Sequence, residues 1–193
     1  MRIVAGRHRG RRLLSPPGET VRPTSDRARE ALFNILSHGR LAAEGLPFAD
    51  AVVLDAFAGT GALGLEALSR GAAEAFFIEE DREALAILRQ NIAALGEDAR
   101  VRVFPGDATR PPRAPSACAL VFLDPPYRSG LAAAALGALD AAGWLVPEAL
   151  AVVELAAREE MGSPTGFIVL DERVYGAARL AFLRRGVTTG DER

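Results

Sequence analysis

The chain has 193 residues, enough for one domain plus a small appendage, and 49% hydrophobic against 25% charged residues is the balance of a globular protein with a sizeable core. No apolar stretch is long enough to cross a bilayer, and the basic start runs into Gly6 and arginines instead of an apolar signal core, so a cytoplasmic location is expected. The single cysteine, Cys118, excludes an internal disulfide, and no Cys/His cluster suggests a metal.

The net charge of −2 conceals an asymmetry. Residues 1–29 carry eight arginines against Glu19 and Asp26, a balance of +6, while the remainder sums to −8. All 23 basic residues are arginine. Residues 2–5 and 11–14 are short extended stretches divided by Gly6 and Gly10, which predicts a hairpin with its arginines outward. Such an arm beside an acidic body suggests a polyanion-binding element, with a solvated charged face as the plain alternative. Ser15-Pro16-Pro17-Gly18 reads as a loop. Thr24 is the expected N-cap of a helix in which Ala28, Ala31, Leu32, Ile35 and Leu36 share one face, ending near Ser37 before His38-Gly39. Residues 39–50 are a connector.

From Ala51 strands alternate with helices. Strands are expected at Val52–Leu54, Ala75–Ile78, Val101–Phe104, Cys118–Leu123 and Ala149–Leu155, with helices at Ala62–Arg70, Arg82–Leu95 and Leu131–Ala141. Phe167–Leu170 and Arg179–Leu183 have no helix between them and should pair antiparallel. Repeated β-α-β units with continuously apolar strands imply an α/β, Rossmann-like, doubly wound and mostly parallel sheet with an antiparallel last strand. Gly186–Arg193 is a polar tail.

Ligands of such sheets bind beyond the carboxyl ends of the strands. There the chain reads Asp55-Ala56-Phe57-Ala58-Gly59-Thr60-Gly61-Ala62-Leu63-Gly64. Gly59, Gly61 and Gly64 match G-x-G-x-x-G, and Glu79 stands 20 residues past Gly59 at a strand end, so the glycines alone fit a dinucleotide equally well. Asp55 separates the two. It would repel a pyrophosphate but attract the sulfonium and amino group of S-adenosylmethionine, at roughly 4 kcal/mol gross per contact near 4 Å and a dielectric of about 20. Phe57, Ala58, Thr60 and the glycines would form the turn around that ligand. Glu79 would take the ribose hydroxyls, and Asp107-Ala108, after the third strand, would meet the adenine amine. The plain alternatives are a helix-terminus carboxylate for Asp55, a solvated acid for Glu79 and a turn former for Asp107.

Asp124-Pro125-Pro126-Tyr127 follows the fourth strand. Two prolines stiffen this loop and remove two backbone donors, so it presents acceptors. The lone pair of a base's exocyclic amine is delocalised into the ring. The Asp124 carboxylate and Pro125 carbonyl can hold its N–H groups out of plane and so localise that pair for attack on a methyl group. Tyr127 offers a ring for stacking on an unstacked base. A strand-terminating turn is the plain alternative.

These residues resemble the amino-methyltransferases whose [D/N/S]-P-P-[Y/F/W] motif serves adenine N6, cytosine N4 and guanine N2. A closer resemblance is carried by Met1-Arg2-Ile3-Val4-Ala5-Gly6, Arg9-Gly10-Arg11, the run from Arg22 to Leu36, Ala58 to Gly71, Phe122 to Tyr127 and Tyr175-Gly176. Nearly end to end, the chain is similar to the bacterial small-subunit rRNA guanine-N2 methyltransferases. The resemblance implies S-adenosylmethionine as donor, S-adenosylhomocysteine as product and 16S rRNA on an assembling 30S subunit as substrate; a monomer without metal is the expectation beside it. It places Thr24 and Arg27 near the cofactor or target base, makes Arg7, Arg9, Arg11, Arg12 and Arg22 phosphate contacts, and sets Tyr175 along the substrate cleft. Residues 1–48 then form an RNA-binding arm, 49–185 the methyltransferase domain and 186–193 the tail. The lysine-free arm departs from the family pattern, as does Glu80, a position that is often lysine there. His8 reads as a bystander, and Cys118, Trp144 and Phe76-Phe77 as core. A DNA adenine-N6 methyltransferase, a nicotinamide oxidoreductase on the same glycine turn and a non-catalytic assembly factor are the rival readings.

Overall fold

Continuously apolar runs become strands here because helices cover both faces of the sheet and leave no solvent side. A computed structural model describes residues 1–16, 23–38, 50–127, 129–162 and 164–186, with the side chains of 23–28 excepted. The expected loop at 15–18, the connector, the tail, Arg22 and the side chains of Thr24 and Arg27 thus lie wholly or partly outside the described residues. In chain order the elements are α1 (Pro23–His38), β1 (Val52–Ala56), α2 (Ala62–Ser69), β2 (Glu74–Glu79), α3 (Arg82–Leu95), a single 3-10 turn (Asp98–Arg100), β3 (Val101–Pro105), β4 (Cys118–Leu123), α4 (Leu131–Ala141), β5 (Leu145–Ala156), β6 (Phe167–Tyr175) and β7 (Ala178–Arg185). The strands lie in the order β3-β2-β1-β4-β5-β7-β6. β1 to β5 are parallel, and β7 runs antiparallel between β5 and β6. This is the Rossmann-like α/β sheet anticipated from the sequence.

Several expected boundaries move, most of all at the end of β6, which runs on from Leu170 to Tyr175, and at the starts of α1 and β5. α1 begins at Pro23, whose fixed φ suits the first helical position, so Thr24 lies inside the first turn and is not the N-cap. β5 begins at Leu145, not Ala149. Cys118 pairs with Leu145 but Leu120 with Leu150, so β5 carries extra residues through this step, and Pro147 and Glu148 (φ 63°) interrupt the apolar run that would have marked the strand.

Alternation along each strand divides the core. Val53, Phe77, Phe122, Val152 and Phe182 face α1, α2 and α3, while Leu54, Phe76, Val121, Val153 and Leu183 face α4 and Trp144. Phe33 of α1 packs on Phe122 at 5.6 Å between ring centroids. Trp144 packs edge-on against Phe76 and Phe104, its Nε1–H donating to the Pro112 carbonyl at 2.8 Å. Trp144, Phe76, Phe77 and Cys118 are fully buried core residues, and burial pushes the Cys118 thiol up to about 12.

The basic arm has no core of its own. Ile3 and Leu13 are buried together with Leu32, Phe33 and Leu36 of α1 against the α2–α3 face. An antiparallel bridge, Arg2 to Arg12, realises the expected hairpin. Polar anchors at Glu66, Ser69 and Glu97 hold its first turn. Glu66, fully buried, accepts from Val4 N (2.7 Å), Ala5 N (3.0 Å) and Arg70 Nε (2.7 Å). Ser69 Oγ accepts from His8 N and donates to the Ala5 carbonyl. Glu97, 3% exposed, holds Arg7 at 2.6 Å and His8 Nε2 at 2.5 Å and also binds Arg100. His8 is therefore a tie between arm and core, not a bystander. Removing either partner of such a buried set leaves a polar group without compensation.

Gly6 (φ 78°) is the closest backbone approach: a Cβ there would lie 1.8 Å from the Ser69 carbonyl oxygen. Gly6→Ala is expected to cost about 2 kcal/mol or more. Hydrogen exchange should show the Ile3, Gly10 and Leu13 amides, now bonded to Arg11, Ile3 and Met1 carbonyls, losing protection before the sheet does.

Candidate active site

Parallel register sets the site. Ala56 of β1 pairs with Ile78 of β2 and with Leu123 of β4, and Leu123 pairs with Val153 of β5. The glycine turn and the Asp124-Pro125-Pro126-Tyr127 corner therefore leave adjacent strands at the same level, about 4.8 Å apart. Side chains two residues apart share a face. Asp55, Glu79, Asp124 and Glu154 each stand two residues beyond Val53, Phe77, Phe122 and Val152, which belong to one core cluster. With Asp107 after β3, an acid stands at or just past the carboxyl end of each of the five parallel strands.

Asp55 is 1% exposed and accepts from Gly64 N at 2.8 Å, within the first turn of α2. Burial, opposed by that bond but reinforced by Glu79's charge, raises its pKa to about 8. The structure thus shows the helix-terminus role, and a ligand-facing role for the same side chain is a proposal. Gly64 packs so closely that a Cβ would meet the Phe77 ring at 2.5 Å, which holds α2 tight to β2. Gly61 (φ 81°) makes the turn itself, and Phe57 takes φ 64°, a strained conformation of the kind that clusters at functional turns. Ala58 N donates to the Ile78 carbonyl, and Gly59 N to Glu79 Oε2 at 2.7 Å. Glu79 Oε1 accepts from Asp81 N at 2.8 Å, so its carboxylate is oriented by backbone donors with further lone pairs available.

Asp107 forms the turn at the end of β3. Its Oδ1 accepts from Thr109 N and Oγ1, its Oδ2 pairs with Arg110, and the Thr109 bonds foremost hold its pKa below the usual value. Ala108 is buried in the α4-side core.

At the corner, Pro125 is buried, and the Pro126 carbonyl closes the turn by accepting from Ser129 N. Asp124 reaches solvent on one side. Protein packed around its carboxyl, then the charges of Glu154 and Asp55, raise its pKa well above the ordinary value. The Tyr127 hydroxyl donates to Glu154 Oε1 at 2.8 Å, with the ring 40% exposed. Glu154 was not anticipated from the sequence. Its signal was present: an acid two residues past a buried core residue near a strand end, as in the other three.

The arm reaches this site. Asn91 of α3, 1% exposed, receives Leu14 N on Oδ1 and donates from Nδ2 to both the Leu14 and Thr60 carbonyls, at 2.7, 3.1 and 3.0 Å. Among the expected RNA contacts, Arg7, Arg9, Arg11 and Arg12 are all exposed, and of these Arg7 also pairs with Glu97 and Arg11 donates to the Ala94 carbonyl at 2.6 Å. Tyr175 ends β6 at the same end of the sheet as the acids and packs beside the α1-side core. Among the described residues no three His, Cys, Asp or Glu side chains are grouped to hold a metal ion, and no helix is long and apolar enough to cross a membrane.

The strand order with β7 reversed, the acid-ended β1 with its glycine turn and the neighbouring Asp-Pro-Pro-Tyr corner define a class I methyltransferase. The family model described as conserved hypothetical protein 95 matches residues 1–184, and the chain belongs to the ribosomal RNA small subunit methyltransferase D family. It is 43% identical over 166 residues to Ribosomal RNA small subunit methyltransferase D of Escherichia coli (strain K12), covering 86% of this chain and 78% of that protein. To its namesake in Haemophilus influenzae it is 36% identical over 181 residues, covering 91% and 89%. The solved structure of yhhF from Escherichia coli matches with a TM-score of 0.81 at 39% identity, over 96% of this chain and 98% of that one.

The raised pKa of Asp55 has a measurable sign. Its stabilising contribution is complete below the unfolded value near 4 and is lost as pH rises to about 8, because the native state resists ionising it. Wild-type stability should fall over that interval, by at most about 1.4 kcal/mol per pH unit from this group. In Asp55→Asn, whose oxygen can still accept from Gly64, denaturant titrations should give a flatter profile.

Proposed function

We propose that the protein transfers a methyl group from S-adenosylmethionine to the N2 amine of a guanine in 16S rRNA, presented on the assembling small subunit. The observation that carries this reading is the adjacency, fixed by the Ala56–Leu123 register, of an acid-lined turn and a proline-stiffened pair of acceptors. Four carboxylates on one face of the sheet suit a cationic ligand and oppose a pyrophosphate, which disfavours the nicotinamide reading. Relatives at 36–43% identity are named for ribosomal RNA of the small subunit, which favours RNA over DNA.

Bound S-adenosylmethionine would supply an electrophilic methyl group. On the chain's side, Asp55 and the main chain of Phe57 to Gly61 would hold its methionine end, Glu79 the ribose and Asp107-Ala108 the adenine. Asp124 and the Pro125 carbonyl accept the N–H groups of the target amine and turn its lone pair toward the methyl. Positioning is the main source of rate, and the Asp124 carboxylate also favours positive charge growing on nitrogen. Tyr127 stacks on the extruded base. Arg9 and Arg12 contact phosphates, and Arg7 and Arg11 join them only where they exchange their internal partners for RNA. Thr24, Arg22, Arg27 and Tyr175 complete the cleft by family analogy.

The test is nucleoside mass spectrometry of rRNA from cells lacking the protein, complemented with wild type or Asp124→Ala. Loss of one N2-methylguanosine, restored by wild type and not by Asp124→Ala, is expected, with S-adenosylmethionine binding by the variant within about threefold of wild type. Intact methylation without the protein, or full rescue by Asp124→Ala, contradicts the reading.

A further inference from the structure

We propose that Glu154 determines base specificity: its carboxylate accepts the N1–H of the target base while Asp124 accepts the exocyclic amine, so the pocket selects two adjacent donors. The inference rests on the guanine-N2 reading above and deepens it.

The placement comes from the sheet. Phe122 pairs with Val152 and Leu123 with Val153, so Asp124 and Glu154 occupy the next shared level on one face of neighbouring parallel strands. Glu154 is half-buried and interrupts an otherwise apolar run, Leu150 to Ala156, two residues before the strand ends. An acid in that position is costly without a partner. The partner it has is the hydroxyl of Tyr127, at 2.8 Å, from the loop that grips the amine. That bond orients the carboxylate toward the corner and uses one of the roughly four lone-pair positions a carboxylate offers.

The chemistry of the bases then discriminates. The Watson–Crick edge of guanine places N1–H directly beside the N2 amine, two donors side by side. Adenine N6 and cytosine N4 amines each stand beside a ring nitrogen that carries a lone pair. Against the pair Asp124 and Glu154, guanine finds two acceptors. The other two bases would turn a lone pair toward a carboxylate, a repulsion that rejects them independently of amine binding. The Asp-Pro-Pro-Tyr corner by itself serves any of the three amines, so the choice among them must come from a residue outside it.

The experiment uses small-subunit particles assembled with 16S rRNA bearing guanine or 2-aminopurine at the methylated position, located beforehand with the wild-type protein. The analogue keeps the N2 amine but has a lone pair at N1. Wild type should lose at least about tenfold in kcat/KM on 2-aminopurine. Glu154→Gln, whose amide can donate to that lone pair, should treat the two bases within about threefold of each other at saturating S-adenosylmethionine, with melting temperature unchanged. Equal use of both bases by wild type, or an undiminished guanine preference in Glu154→Gln, overturns the proposal. The wild-type comparison stands even if the variant does not fold. A wild-type protein that methylates no guanine in any particle overturns the preceding section instead.

Discussion

Pairing of β4 against β1, with Leu123 opposite Ala56, is the constraint on which the rest depends. It brings two loops that are distant in sequence to one level and one strand spacing apart. The cost is electrostatic. Side-chain alternation then aims Asp55, Glu79, Asp124 and Glu154 to the same face, and burial with mutual repulsion raises the pKa of Asp55 and Asp124. A group of acids under that tension gains from a cation, because each positive charge brought among them relieves both desolvation and repulsion. The same arrangement disfavours phosphates, so fold and ligand class are linked through charge and not through the glycine pattern.

The N-terminal arm belongs to this arrangement and not to a separate unit. Glu66 and Ser69 on α2, Asn91 on α3 and Glu97 just past the end of α3 each spend polar groups on the arm. Asn91 joins the arm at Leu14 to the glycine turn at Thr60, and Thr60 Oγ1 lies 3.8 Å from the Met1 sulfur. The basic surface and the glycine turn are thereby connected through Asn91, so on the proposed function RNA seated on the arm would be held in fixed relation to the Asp-Pro-Pro-Tyr corner.

Strand and helix identity was legible because the apolar runs are uninterrupted and the glycines fall at helix ends; α3, α4 and β4 were placed to the residue. The glycine turn and the Asp-Pro-Pro-Tyr corner carry their chemistry in their composition, and a local reading finds them. Three features were not local. The start of β5 is broken by Pro147 and Glu148, so its apolar run begins late. Arg7, Arg11 and His8 look alike as arm charges, but Glu97 and Ala94, some 80 to 90 residues away, decide that they serve as ties. Glu154 became meaningful only through its neighbour strand, since an acid near the end of a strand has no role until register sets Asp124 beside it.

The central claim is geometric, and a crystal structure with S-adenosylmethionine or a stable sulfonium analogue bound tests it most directly. The account predicts the amino-acid end of the ligand beside Asp55 and the glycine turn, the ribose on Glu79, and the transferable methyl directed across the β1–β4 boundary toward Asp124 and Pro125. A methyl facing away from that boundary, with protein filling the path between it and Tyr127, would contradict it.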